Sequence, residues 1–566
     1  MYYKTEKQNY LNHLRHSTAH LLAAAVMELW PKAKRTIGPA IENGFYYDFD
    51  FGDVKVSEED FPKIEAKMRE LLPSWKGFER HEVSIEETKK EFVDNPYKLE
   101  LIDEFSQEGK NLTIYQSGDF RDLCRGGRML GEQLDFFSTS PLTGQGLILW
   151  HPKLSISRDI VERFWKREHY QHGYKLVYTP HIATMDMFVK TRHLTKYVNS
   201  MFPVMLHEYI EGESAPDYTK EEVLKPMNCP NHVQIYRSRP RSYRELPLRL
   251  GELGTVYRYE RAGVLHGLTR VRGFTQDDSH IFCRPDQVIA EVKNILQLTR
   301  YFYQVFGFKD YQAYLATRPE KYLGTIAMWE FSQNSLKKAL EDEHISYKID
   351  EGEGVFYGPK IDSKIKDSLG REWQLGTIQF DFNQPAKAET TDEEIEEFWN
   401  LKTFKYIFKT KETLAKYLKR MGRGLDVTFA NQQGKEESAV MIHRTILGSM
   451  ERFFGILIEH YAGAFPFWLS PVQVAILPIS DKQLDYGKRV YQKIFDSDIR
   501  VELDGSNETL SKKIRNWEMQ KVPYIAVVGK REEEEDKLAI RKRGEGDRGT
   551  VEVNAFIKLL HSLSKL

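Results

Sequence analysis

The chain has 566 residues, 41% of them hydrophobic, and its 82 basic and 83 acidic side chains leave a formal charge of -1. That length predicts roughly three or four domains with apolar cores of their own, and the near-neutral balance excludes a globally basic nucleic-acid binder, so any such surface is local. Three scattered cysteines, Cys124, Cys229 and Cys283, exclude a disulfide framework and fit a reducing cytosol. The first residues lack the apolar stretch of a signal peptide, and no window approaches the roughly 18 apolar residues of a membrane span, so a cytoplasmic protein without a membrane partner is expected.

Residues 8–30 carry an apolar stripe of Leu14, Leu21, Leu22, Val26 and Leu29, which predicts a helix stopped by Pro31. Within it His16 and His20 stand at i and i+4 on one face, a geometry that suits a metal or a substrate and is also common in purely structural roles. From Gly44 to Phe51 aromatic and acidic residues alternate with period two, as in a strand, and a charged helix is predicted at about 59–73. Cys124 follows in Asp122-Leu123-Cys124-Arg125-Gly126, either a partner for the two histidines or a buried spare thiol. Turn residues from Gly126 to Gly146 place the first boundary near 135.

Over 136–468 helices alternate with aromatic and β-branched strands, as in a large antiparallel α+β domain, with one helix predicted at 158–172. Residues 384–424 predict a charged helical insertion between two strands, whose acidic start and basic end complement a helix dipole and suit a solvated surface. After Pro466 and Pro471 strands and helices alternate with crossover lengths. Residues 469–566 are therefore expected to form a separate α/β domain with a partly parallel sheet.

The residues richest in chemistry lie in the middle of the chain. Tyr257-Arg258-Tyr259-Glu260 and Arg270-Val271-Arg272-Gly273-Phe274-Thr275-Gln276-Asp277-Asp278-Ser279-His280 read as two strands joined by a loop. Arg258 can bind the α-phosphate of ATP and Arg270 the far phosphates, because a planar guanidinium makes bidentate contacts that an ammonium cannot. That is phosphate chemistry without a Walker loop. Arg452, beside Glu451 at the start of an apolar helix, would supply a third cation, although an intrahelical ion pair explains the same two residues. Cys229, His280 and His443 together offer one thiolate and two imidazoles, a zinc set with an open fourth position. Their wide separation leaves buried packing residues as the competing reading.

Four motifs resemble those of the threonyl-tRNA synthetase family, class II aminoacyl-tRNA synthetases of bacterial type: Pro226-Met227-Asn228-Cys229-Pro230, Arg258-Tyr259-Glu260, Arg272 to Asp278, and Ile442 to Arg452. The likeness runs through nearly the whole chain in family order. It implies an α+β multidomain protein: a class II antiparallel-sheet catalytic core, an N-terminal α+β editing-like domain that is shortened, and a C-terminal α/β anticodon-binding domain. The helix before Tyr178-Thr179-Pro180 looks like the family's first motif and implies a homodimer.

The resemblance further implies ATP-dependent joining of L-threonine to tRNA(Thr) through a threonyl-adenylate, with Mg2+ accompanying ATP. Zn2+ would be bound by Cys229, His280 and His443, so that valine, which lacks the hydroxyl, leaves a metal position unfilled. Arg258, Arg270 and Arg452 match the catalytic phosphate ligands, with Glu260 and Phe274 completing the ATP site. Asp278, Gln276, Tyr357, Lys360, Gln374 and Gln379 match the threonine and adenylate pocket. Asn507, Glu508, Arg515, Glu532 and Arg541 fall where anticodon contacts lie, since unpaired bases expose edges that polar side chains read.

Serine keeps the hydroxyl and lacks only a methyl, so the pocket alone discriminates by roughly 10–200-fold, and the family adds hydrolytic editing. His16, His20 and Cys124 match three editing residues, but Arg128 stands where the family has a histidine, and a guanidinium cannot accept a proton near neutral pH. The resemblance leads to the expectation of a member without the small domain that many carry before this region. Another class II synthetase, for proline or serine, would leave the zinc set without a purpose. An RNA-binding paralogue without aminoacylation would be expected to have damaged ATP motifs, and here all three phosphate arginines are present.

Overall fold

The computed structural model describes residues 2–36, 38, 40–41, 44–45, 47–75, 77, 79–107, 112–123, 129–205, 221–261, 264–308, 311–366 and 372–564. The chain forms two compact units, Met1–Arg128 with Gly370–Trp373, and Met129–Leu369 with Gln374–Leu566.

In the first unit helix α1 (Tyr2–Leu29) begins earlier than its apolar stripe predicts. Its C-terminal half buries Ala19, Ala23 and Val26, whereas Leu14 is 48% exposed and lies off the buried stripe. The alternating segment from Gly44 is not one strand. Gly44–Phe45 pairs with Ala40–Ile41, and Phe49–Asp50 pairs with Lys34–Arg35, with Phe45 and Phe49 both packed against the Ala19 and Ala23 side of α1. Strands β1 (Glu79–Val83), β2 (Leu112–Ser117) and β3 (Phe120–Leu123) form an antiparallel sheet over Phe92, Ile102 and Ile114.

The second unit is built on an eight-stranded sheet. Its members are β4 (Lys175–Leu176), β5 (Leu248–Tyr257), β6 (Gly273–Cys283), β7 (Tyr311–Ala316), β8 (Tyr347–Asp350), β9 (Lys360–Lys366), β10 (Glu372–Asp381) and β11 (Val440–Thr445), in spatial order β4-β5-β6-β11-β10-β9-β7-β8. The central pairs β5–β6, β6–β11 and β11–β10 are antiparallel. Helix α2 (Pro152–Gln171) starts at Pro152, six residues before the predicted 158. A proline suits the first helical turn, where its missing N–H has no partner to lose.

The insertion is not a single solvated helix. It forms α3 (Asp392–Trp399), α4 (Lys402–Phe408) and α5 (Lys411–Met421), whose Phe398, Phe404, Ile407 and Leu418 share a buried core with Phe188 and Leu194. The charge pattern described only its outer side. In the C-terminal region strands Val501–Leu503, Val474–Pro478 and Tyr524–Val528 are parallel neighbours, followed by antiparallel Lys537–Lys542 and Gly546–Glu552. This is the partly parallel sheet expected from alternation, packed on Val490, Ile494 and Phe556.

Candidate active site and metal cluster

The register of the large sheet assembles the site. His280 pairs with His443 across β6 and β11, and His443 pairs with Gln379 across β11 and β10, so all three share one face. Cys229 is supplied by the first turn of helix Cys229–Arg237. One donor atom each from Cys229, His280 and His443 lie within 4.8 Å of one another. The sequence-distant trio is therefore a spatial cluster, and its S, N, N donor set fits zinc.

Each histidine is oriented from behind. His280 Nδ1 lies 2.9 Å from His232 Nδ1, and His232 Nε2 lies 3.1 Å from Glu252 Oε2. Glu252 in turn accepts from the Thr179 backbone N–H at 2.6 Å. His443 Nε2 lies 2.9 Å from Asp381 Oδ2. Such partners hold a ring in one orientation and tautomer. His232, Glu252 and Asp381 escaped the sequence reading; a cross-strand position two residues from Gln379 was the only signal for Asp381. Burial, reinforced by Asp278 and Asp381, pushes the Cys229 thiol well up, and burial pulls His280 well down. A cation at the cluster reverses the first effect, because a coordinating thiol loses its proton.

The neighbouring carboxylates, Asp277 and Asp278, point to opposite faces of β6, as the period of a strand requires. Asp277 accepts from the backbone N–H groups of Leu447 and Gly448, each at 2.9 Å, and from Trp165 Nε1 at 3.3 Å. It anchors the turn before the helix Met450–His460. Asp278 faces the cluster, 3.9 Å from His280 Nε2, and accepts from Asn228 Nδ2 at 3.0 Å. Gln276 lies opposite Ser449, the cap of that helix. Tyr357 donates to Gln379 Oε1 at 2.8 Å and its ring lies 5.8 Å from His443. Lys360 and Gln374 are linked through Asp362 and Thr377: Lys360 Nζ to Asp362 Oδ2 at 2.6 Å, Thr377 Oγ1 to Asp362 Oδ1 at 2.8 Å, and Gln374 Nε2 to Thr377 Oγ1 at 3.2 Å.

Beside them stand the cations. Arg258 donates to the Pro226 carbonyl at 3.3 Å with its guanidinium 5.2 Å from the Phe274 ring centre. Arg270 donates to Glu260 Oε2 at 3.2 Å, and Arg452 to the Thr269 carbonyl at 3.1 Å. Glu451 turns toward Arg158, 3.6 Å away, and accepts the Thr275 N–H at 2.9 Å, rather than forming the intrahelical pair its sequence position suggested. Burial pushes its carboxyl up to about 7. His193, also unread in the sequence, is buried with its pKa pulled down to about 3, chiefly by desolvation and then by Arg258 and His443.

Comparison with known proteins decides the family. Residues 213–398 match the tRNA synthetase class II core domain (G, H, P, S and T), and residues 473–563 match the anticodon binding domain. The chain is 40% identical to the threonine-tRNA ligase of Sulfurihydrogenibium sp. over 99% of its own length and 90% of that relative. It is 41% identical to the ligase of Dehalococcoides mccartyi over 94% and 93% of the two chains. The chain belongs to the threonine-tRNA ligase family.

A solved structure described as the RNA binding domain of threonyl-tRNA synthetase from Cryptosporidium parvum aligns with this family member at TM-score 0.65, with 32% identity, over 77% of this chain and 98% of that one. No described helix is long and apolar enough to cross a membrane.

In the first unit His20 is buried, 3.5 Å from Asp122 Oδ2. Burial pushes Asp122 up, but Lys98 at 2.8 Å, His20 and Arg35 at 3.1 Å overcome it and hold the carboxyl well below the usual range. Tyr47 donates to the same carboxylate. Asp122, Lys98 and Tyr47 were not singled out in the sequence; burial of their charges is the signal, and it needs the fold. The side chain of His16, and Cys124 and Arg128, lie outside the described residues.

In the C-terminal region Asn507, Glu508 and Glu532 follow the carboxyl ends of parallel strands, where open α/β sheets bind ligands. Arg515 is exposed on helix Leu510–Met519. Arg541, on the strand next to Tyr524–Val528, lies 3.7 Å from Glu518 and has a buried Nε without a hydrogen-bond partner.

Proposed function

We propose that this member of the family joins L-threonine to tRNA(Thr) in two steps. The threonine carboxylate attacks the α-phosphorus of ATP in line, forming threonyl-adenylate and releasing pyrophosphate. A terminal ribose hydroxyl of tRNA then attacks the acyl carbon, giving threonyl-tRNA and AMP. Positioning and charge neutralisation do most of this work. Arg258 holds the α-phosphate, Arg270 and Arg452 the outgoing phosphates with Mg2+, and Glu260 and Phe274 border the adenine side. Asp278, fixed by Asn228, accepts a hydrogen bond from the substrate amino group, while Gln276, Tyr357, Lys360, Gln374 and Gln379 line the pocket. Zinc held by Cys229, His280 and His443 would supply a Lewis-acid position that an amino group and a β-hydroxyl fill together, which rejects valine.

The observation that carries this reading is the cluster of buried Cys229 and His280 with partly buried His443, the two histidines on the same sheet face as Gln379. Cytoplasmic work as a homodimer follows for the same chain, with an editing-like region at 1–135, a catalytic domain at 136–468 and an anticodon-binding domain at 469–566. Exposed Ile156 and Tyr170 on α2, with Tyr178 just beyond, support pairing through that face. Asn507, Glu508, Arg515, Glu532 and Arg541 would read the anticodon.

Amino-acid-dependent ATP-pyrophosphate exchange without tRNA is the test. Threonine is expected to support exchange, serine to do so more weakly and valine not at all, and Cys229→Ala should lose both bound zinc and exchange. Exchange with valine comparable to threonine would refute the selection chemistry. Tight tRNA binding without any exchange would favour an RNA-binding paralogue.

A further inference from the structure

The helical insertion takes part in none of these steps, yet its solvent side has a charge pattern of its own. At 100° per residue Lys402, Lys405 and Tyr406 fall within one arc of α4, opposite the buried Phe404, Ile407 and Phe408, and Lys409 follows at the C-cap of that helix. All four are exposed, Tyr406 by 63%. Lys416 and Arg420 add two exposed cations on α5.

The acidic helix α3 does not neutralise them. Its Asp392 engages Lys419 at 3.3 Å, its Glu397 engages Lys196 at 2.7 Å, and its Glu394 engages Arg192 and Arg423, each at 3.1 Å. Glu396 is taken by Lys411. Among the described residues Lys402, Lys405, Lys409, Lys416 and Arg420 have no carboxylate partner. Three of them lean on rings instead: Lys409 lies 4.4 Å over Tyr406, Lys405 5.7 Å over Trp399 and Arg420 5.9 Å over Tyr417. Crowded like charges repel unless an anion joins them.

We infer that this face is a binding platform for the phosphodiester backbone of tRNA. Lys402 and Lys405 stand about 4.5 Å apart along the helix axis, with Lys409 beside Tyr406 at the helix end, and the three can meet phosphates of one strand, while the Tyr406 ring offers a stacking surface. The insertion leaves the sheet after β10, which carries Gln379, and returns before β11, which carries His443; Ala388 pairs with Arg423 at its base. The platform thus belongs to the same domain that receives the tRNA 3′ end. Phosphates, rather than an acidic protein, are favoured because tRNA is the polyanion that the proposed reaction already brings to this domain. The inference rests on the aminoacylation reading, and its test separates the two.

Lys402→Gln/Lys405→Gln/Lys409→Gln and Lys416→Gln/Arg420→Gln are to be compared with the wild type in threonine-dependent exchange without tRNA, and in binding of a tRNA(Thr) transcript between about 50 and 300 mM KCl. Exchange should stay within about twofold of wild type, because no substituted residue touches the substrates. The triple variant should bind tRNA about tenfold more weakly, with the slope of log Kd against log salt reduced by about 2 to 3. Unchanged Kd and slope with exchange intact would overturn the platform. If one variant loses exchange through misfolding, the slope of the other decides. A wild type that binds tRNA with this slope but shows no exchange would sink the aminoacylation reading and leave the platform standing.

Discussion

Single side chains decide the chemistry here, and two of them carry measurable consequences. Asp381 stands behind His443 at 2.9 Å, and partners in that position typically contribute 10–100-fold to metal affinity. Asp381→Asn is expected to release zinc to a competing chelator about tenfold more readily while leaving the fold intact, which a zinc-indicator titration against the wild type measures. Glu451 has a folded pKa of about 7, raised by burial, with Arg158 pulling it down and Glu162 adding to the rise. A carboxyl raised in the folded state binds its proton more tightly there than in the unfolded chain. Its contribution is full below the ordinary glutamate range and is lost as pH rises through 7, amounting to about 3 kcal/mol at most. Between pH 5 and 8 the thermal midpoint of the wild type should therefore fall relative to that of Glu451→Gln. Parallel curves for the two proteins would show that Glu451 does not titrate in this window.

At the scale of elements, what could be read from the chain depended on how local the cause was. The alternating strands and helices after Pro471 predicted a partly parallel sheet, whereas the opposite faces of Asp277 and Asp278 became visible only with β6 in place. The insertion was read by its charges alone, and its apolar half was missed because Phe398, Phe404, Ile407 and Leu418 are spread over three short helices and meet only by packing against Phe188 and Leu194. That core predicts a local weakness. Leu418 is fully buried, so Leu418→Ala should cost about 2–5 kcal/mol within this helical subdomain. Limited proteolysis is expected to cut the variant first between 392 and 421, while wild type resists there. Gly448, at φ +77°, shows a tighter local demand: a Cβ would lie 2.7 Å from the Leu375 carbonyl oxygen, so close backbone packing requires glycine.

For the molecule as a whole, the catalytic sheet and the C-terminal sheet have separate cores, and among the described residues only the first carries a candidate metal cluster, Cys229, His280 and His443. A ligand that binds the folded state alone stabilises it by about 4 kcal/mol at a thousandfold excess over Kd. Chelation should therefore lower the calorimetric transition of the catalytic core and leave that of the C-terminal region in place. A uniform shift of both would mean that the two regions unfold as one unit.

The sequence by itself determined the residue types of the parts, the guanidiniums proposed for phosphates and the thiol and imidazoles proposed for zinc, and the alternating elements of the C-terminal sheet. These are properties of residue type and of short-range periodicity, which a few neighbouring residues settle. Only the tertiary structure decided that Cys229, His280 and His443 meet, that Glu451 faces Arg158, and that His232 and Asp381 stand behind the histidines. Those contacts follow from strand register between segments far apart in the chain, and register is chosen by the burial of a whole face, not by any local signal.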